Sequence, residues 1–258
     1  MEKSVQSEAH NWDRLGSADA ALKTTRLQAT PVQDWPWSRR VSVPRTWNTG
    51  DSTEQEDIVQ MLIDPNSNLA MSQAAAMRRA YDDEIIARAI GTALDGDGNN
   101  VNYPAGQQVG DYTLPISFDM ITEVSEKFLA NDIDPMEPKV FVIGPKQARK
   151  LLQLTEATSA DFNALRPLQT DGIVRNWMGY TWIVSTRLLY DATDPVNHLN
   201  CMAFTKKAIG LQVNRDISSL VAEDPSISFA WRIYTFATFG AVRVEDEHMV
   251  RIRIEDSI

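Results

Sequence analysis

The chain reads as α+β. Three observations predict it: one long helical period over residues 69–94, alternation of apolar and polar side chains over 227–239 and 249–254, and short helices and strands between them that do not follow strict βαβ order. At 258 residues, with 43% apolar and 23% charged side chains, the chain suffices for one large or two modest domains and a sizeable core.

Residues 1–50 hold Trp12, Trp35, Trp37 and Trp47 among Pro31, Pro36, Pro44 and polar residues. That is too little periodic apolar surface for a core and too aromatic for a disordered tail. An extended arm or loop is expected, its tryptophans meeting a partner surface; the alternative is that they pack on their own subunit. Arg39-Arg40-Val41-Ser42-Val43-Pro44-Arg45-Thr46-Trp47 alternates like one exposed or edge strand, and Asp51, Glu54, Glu56 and Asp57 follow with no base between them. A basic strand beside an acidic turn suits a contact between copies, each positive side meeting a neighbour's negative side. A solvated charge run is the alternative.

Asn66-Ser67-Asn68, after Pro65, offers N-caps for a helix over 69–94. Leu69, Met77, Tyr81, Ile85, Ile86, Ala89 and Ile90 recur near three- and four-residue spacing, with Arg78, Arg79, Asp82, Asp83 and Arg88 between them. The helix would span about 40 Å. Asp95-Gly96-Asp97-Gly98-Asn99-Asn100 ends it as a dense cluster of turn formers. Val101, Tyr103 and Val109 mark a strand or loop region before Pro115 and a helix over 117–130. Strands follow at 139–144 and 181–185, a helix at 146–154, and a strand pair at 201–205 and 208–213 bent at Lys206-Lys207. The alternation at 227–239 sets Ile227, Phe229, Trp231 and Ile233 opposite Arg232 and Tyr234, and 240–244 extends it. The last strand, 249–254, sets Val250, Ile252 and Ile254 against Arg251 and Arg253.

With 35 acidic against 25 basic side chains the formal charge is −10, unsuited to gripping phosphates. The lone Cys201, in an apolar run, is expected to be a small buried residue with a raised thiol pKa, and reducing host cytoplasm is the expected place of synthesis. No basic segment leads an apolar one at the N-terminus and no apolar run reaches membrane-spanning length, so no membrane association is expected. His10, His198 and His248 show no metal-ligand spacing. The stretch from Asp95 departs from a calcium loop at Asn100 and Gly106, where Gly and Glu are required. No Gly-Lys-Ser/Thr phosphate loop and no Gly-x-Ser-x-Gly elbow occurs. His198 near Cys201, and the runs Asp82-Asp83-Glu84 and Glu245-Asp246-Glu247, are weak grounds for catalysis; the runs read as solvated faces. No active site, cofactor or metal is expected.

Several joints occur together: a helix ending in Asn131-Asp132-Ile133-Asp134-Pro135, the run Val140-Phe141-Val142-Ile143-Gly144-Pro145, the helix at 146–154, Ser159-Ala160-Asp161-Phe162-Asn163, and Gly179-Tyr180-Thr181-Trp182-Ile183-Val184-Ser185. In order and pattern, from about residue 39 to the C-terminus, the chain resembles the coat subunit of tailed bacteriophages, the Hong Kong 97-like major capsid fold. The resemblance implies an N-terminal arm at 1–33, an extended E-loop at 34–64, a peripheral domain with a spine helix at 65–113 and 226–258, and an axial domain at 114–225. It also makes 203–211 the family's late strand pair and 229–244 its long returning strands. Only residues 1–33 precede the E-loop, fewer than such proteins commonly carry.

The function so implied is that of a non-enzymatic major capsid protein, a virion component assembling through hexamers and pentamers into an icosahedral shell around double-stranded DNA. Portal and scaffolding or cement proteins would be further partners, and contact with the packaged DNA weak and non-specific, as the acidic balance suits. Intersubunit contact would fall to Arg39, Arg40, Arg45, Trp47, Asp51, Glu54, Glu56 and Asp57 of the E-loop. An encapsulin-like compartment enclosing a protein cargo, or a monomeric α+β enzyme or binding domain, are the alternatives. Charge reversal at Arg39, Arg40 and Arg45 together is expected to impair assembly more than folding.

Overall fold

The computed structural model describes residues 1–256 apart from 5, 31, 33, 55, 57–64 and 154–175. In chain order, β1 (Glu2–Ser4), β2 (His10–Leu15), β3 (Trp37–Ser42) and β4 (Arg45–Thr53) precede the long helix α1 (Pro65–Ile90). Then come β5 (Ala93–Asp95), β6 (Asn100–Val101), β7 (Gln108–Val109), α2 (Phe118–Ala130), β8 (Lys139–Ile143), α3 (Pro145–Gln153), β9 (Asn176–Trp177), β10 (Tyr180–Val184) and β11 (Tyr190–Asp191). The chain closes with β12 (Asp194–Thr205), β13 (Ile209–Asp224), β14 (Ala230–Arg243) and β15 (Met249–Glu255).

The largest sheet runs β7-β15-β12-β8-β10-β9, with β11 on β12. Its central strand β12 pairs antiparallel with both β8 and β15, so Cys201, Met202 and Ala203 are all buried although they alternate in direction. Helix α2 lays Ile121, Val124 and Phe128 into this core, its apolar residues falling at three- and four-residue spacing. Ser117 caps it, its hydroxyl accepting from the Met120 amide at 3.3 Å.

The second sheet runs β1-β13-β14-β4 and carries α1 across one face. Tyr81 stacks on Phe239 at 3.7 Å between ring centroids, Met77 packs beside it, and the Gln73 amide reaches into the sheet to the Ile233 carbonyl and the Thr235 hydroxyl. A smaller sheet, β2-β3-β5-β6, joins the C-terminal end of α1 to the N-terminal strands.

Several elements depart from expectation. Helix α1 begins at Pro65, whose fixed φ and missing N–H suit a first helical position, so Asn66, Ser67 and Asn68 stand inside it. It stops at Ile90, and Leu94 belongs to β5. The turn formers from Asp95 link β5 to β6 rather than ending the helix: the Asp95 carboxylate accepts the Asp97 and Asn99 amides at 2.9 and 2.8 Å, and Gly98 takes φ +83°. Bonding from the Asn99 amide, above all, holds that carboxyl below its ordinary pKa.

The strands expected to pair across Lys206-Lys207 lie in different sheets, because β8 and β15 already occupy both edges of β12 and leave β13 to pair with β1 and β14. The single strand expected over 39–47 is two, in different sheets. They part at Val43-Pro44, which crosses Gly240 so closely that a Cβ there would meet the Val43 carbonyl at 2.7 Å. Strand β14 begins at Ala230; Ile227 and Phe229 form the exposed tip of the β13–β14 hairpin. Leu154 and the stretch 159–163 lie outside the described residues.

Cys201 is fully buried, and desolvation pushes its thiol up to about 12. Native protein at pH 8 is therefore expected to resist iodoacetamide, while protein in denaturant takes one label per chain; intact mass before and after unfolding checks it.

Candidate subunit-interaction surface

Strands β2 and β3 form a hairpin in register from His10↔Ser42 to Leu15↔Trp37, closed at its far end by the Gly16 amide donating to the Pro36 carbonyl at 2.9 Å. The connection beyond it packs little. Leu27 is 89% and Val32 97% exposed, Leu22 is similarly bare, and Trp37 at the hairpin's end is 71% exposed. The base, by contrast, is seated firmly. The buried Trp12 indole lies on Gly210, where a Cβ would stand 2.6 Å from the ring. Its Nε1 donates to the Ser42 hydroxyl at 3.0 Å, which donates in turn to Gln212 at 2.8 Å.

A charge cluster fixes the same base. Asp246 accepts from Arg40 Nη2 at 2.7 Å and Arg243 Nε at 2.5 Å, with Arg14 Nη1 at 3.8 Å, and Arg14 also pairs with Glu245 at 2.9 Å. One carboxylate thus ties β2, β3 and the end of β14 together. Among the described residues Arg243 is the largest fully buried side chain. Its Nη1 donates to the Ala89 and Gly91 carbonyls at the end of α1, at 3.2 and 2.6 Å, and its Nη2 to Val101 and Asn102 at 3.3 and 3.2 Å. A cation that takes the last free carbonyls of a helix satisfies both hydrogen bonding and the helix dipole.

The residues singled out from sequence are dispersed. Arg40 is buried on Asp246 within its own subunit. Arg39 is exposed and paired with Asp13 at 2.8 Å, lining an open cleft of about 820 Å³ with Trp37, Asp95 and Asp97. Arg45 and Asp51 are exposed on β4, about 20 Å apart at strand rise, so within one subunit they do not meet. Trp47 is half-buried and stacks near Phe239 at 6.2 Å. Glu54 and Glu56 are exposed, and Asp57 lies outside the described residues. Because Arg40 is buried and paired, the triple reversal at Arg39, Arg40 and Arg45 would damage folding as well as assembly.

Sequence reasoning missed Arg14, Arg243 and Asp246. The signal was there for Arg243, a lone charge between the apolar residues of 237–244; Asp246 was hidden in a run that reads as solvated. Among the described residues no cluster of His, Cys, Asp and Glu could hold a metal ion, and no helix is long and apolar enough to cross a membrane.

A sequence model of the phage capsid protein family matches residues 1–256. The chain belongs to that family. No curated protein matches it at a significant level. Among solved structures, the capsid of cyanophage P-SCSP1u is similar at TM-score 0.75 and 15% identity, over 99% of this chain and 86% of that one. The head of Helicobacter pylori bacteriophage KHP40 is similar at TM-score 0.73 and 8% identity, over 98% and 87%. The mature capsid of bacteriophage PhiM1 is similar at TM-score 0.72 and 13% identity, over 100% and 85%. This phage capsid protein therefore has the Hong Kong 97-like fold and is a structural subunit of a virion's capsid, built from many copies of itself. The family match favours that reading over the encapsulin-like and monomeric alternatives.

Two outcomes are expected of the isolated subunit. Asp246→Asn strips the counter-charge from buried Arg40 and Arg243 and should lower unfolding free energy by about 3–5 kcal/mol in denaturant titration. His248, whose Nδ1 lies 2.7 Å from the Thr205 hydroxyl, has its pKa lowered from 6.5, by burial first. The unfolded chain then binds the proton more readily, so this contribution to stability is present above pH 6.5 and is lost as pH falls through the folded-state value. Melting temperatures from pH 8 to 5 should fall less steeply for His248→Gln than for the parent.

Proposed function

We propose that hexamers and pentamers of this capsid protein close an icosahedral shell around the double-stranded DNA of a tailed phage. In each copy the β2–β3 hairpin is the arm laid on a neighbour. The observation that carries this is the pairing of a rigid base with a bare apolar end: Trp12 and the Asp246 cluster fix the hairpin, while Leu22, Leu27, Val32 and Trp37 stand in water. Four large apolar side chains left in water along the connecting segment and the hairpin's end are read as a contact made with another copy.

In this scheme the E-loop, expected over 34–64, starts earlier, at β2, and takes in most of the segment expected as the N-terminal arm, while β4 runs back into the body. Helix α1 acts as the spine of a peripheral domain with the β1-β13-β14-β4 sheet, and the seven-stranded sheet forms the axial domain. Exposed Arg39 and Arg45 face a neighbour's Asp51, Glu54, Glu56 and Asp57. Packaged DNA touches the wall weakly, in keeping with the net charge of −10. A portal, and scaffolding or cement proteins, complete the particle, and synthesis takes place in the host cytoplasm.

Electron microscopy of the purified protein, with light scattering for mass, tests the reading: closed shells or capsomer-sized rings are expected. A uniform population of 28.9 kDa monomers at all salt and protein concentrations would contradict it. Arg39→Glu with Arg45→Glu, which spares Arg40, should reduce shell yield while changing subunit stability by about 1 kcal/mol or less. Normal shells from that pair would remove the case for charge complementarity.

A further inference from the structure

Helix α3 is the one described helix whose charges are all positive. Lys146, Arg149 and Lys150 fall at spacings of three and four residues, which sets them on one face with Gln153, while Gln147 and Leu151 are buried on the other. All four residues of the outer face are exposed and carry N–H donors, over about 10 Å of helix. Lys146 is matched: its Nζ lies 3.1 Å from the Asp256 carboxylate and donates to the Asp256 carbonyl at 3.0 Å. Arg149 and Lys150 have no ion-pair partner among the described residues, although Glu255 lines the same shallow groove beside the helix with Pro115 and Ile116.

A face made of donors and positive charge fits an anion, and the acidic runs of this chain are already engaged. In Asp82-Asp83-Glu84, Asp83 pairs with Arg187 and buried Glu84 with Arg88. In Glu245-Asp246-Glu247, Glu245 holds Arg14 and Asp246 holds Arg40 and Arg243. Glu54 and Glu56 stand opposite Arg39 and Arg45 in the shell proposed above. No acidic run of a second copy is left for α3, whereas the nucleic acid enclosed by that shell offers a continuous row of phosphates.

We infer that the outer face of α3 is where each subunit touches the phosphate backbone of the enclosed double-stranded DNA. The inference rests on the shell reading and gives the weak contact stated there a location. Three side chains neutralise at most three phosphates and reach no base edge, so the contact is non-specific and sensitive to salt. On a chain of net charge −10, one such stripe per copy holds the DNA lightly at many points and leaves the rest of the wall repulsive.

The test is titration of a short fluorescent DNA duplex with the subunit, followed by anisotropy at several salt concentrations. At a slope of about −0.9 per phosphate, three contacts cost the parent about 40-fold in affinity between 50 and 200 mM salt, and one contact costs about three- to fourfold. Arg149→Gln with Lys150→Gln should therefore bind more weakly at low salt and show the shallower dependence. Arg78→Gln with Arg79→Gln removes the same charge from exposed positions on α1 and should keep the parent's dependence. A parent that does not bind at low salt, or an α1 pair that loses as much as the α3 pair, overturns the contact while leaving the shell standing. Tighter binding of poly-glutamate than of DNA assigns the face to an acidic protein partner and also overturns it. Parent protein that forms no particles overturns the shell, and with it the packaged-DNA role of α3, whatever the titration shows.

Discussion

Arg243 is the interaction on which the rest of the structure depends. Burying a guanidinium is costly unless every donor is matched, and here Nε meets Asp246 while the terminal nitrogens meet four backbone carbonyls. Those carbonyls belong to Ala89 in the last turn of α1, Gly91 just beyond it, Val101 at the end of β6 and Asn102 after it, so one side chain terminates the long helix and anchors the small sheet. The Tyr103 ring centroid lies 4.7 Å from the guanidinium, and burial raises its phenol pKa.

Asp246 carries this order outward. Its second oxygen holds Arg40 of β3, and its neighbour Glu245 holds Arg14 of β2, so the hairpin leaves the body in a direction set by the same cluster that ends the helix. Trp12 on Gly210 and Pro44 on Gly240 add steric seats that any side chain at either glycine would disturb. In the proposed shell, closed by many weak contacts, each copy has to present the hairpin at one angle, because angular error accumulates over repeated contacts. A rigid base with a bare end meets that requirement better than a freely jointed tail.

Much of the fold was legible in the sequence wherever periodicity reported burial. The apolar spacing of α2, the run of β8, the alternation of β15 and the apolar setting of Cys201 all translate directly into the core. What escaped depended on partners far along the chain. Whether β12 pairs with β13 is decided by β8 and β15, not by the bend between them. Arg39, Arg40 and Arg45 look alike in sequence, yet only Arg40 faces Asp246, 206 residues away, and is withdrawn from the surface. Glu245-Asp246-Glu247 resembles any solvated run until three arginines converge on it.

Hydrogen exchange, followed in the free subunit and in the assembled particle, tests the rigid base and bare arm most directly. Amides of β2 and β3 are expected to be protected in both states, and residues 17–30 to exchange freely in the subunit and become protected only in the particle. Exchange of β2 and β3 as fast as that of 17–30 in the free subunit, or no gain of protection on assembly, would contradict it.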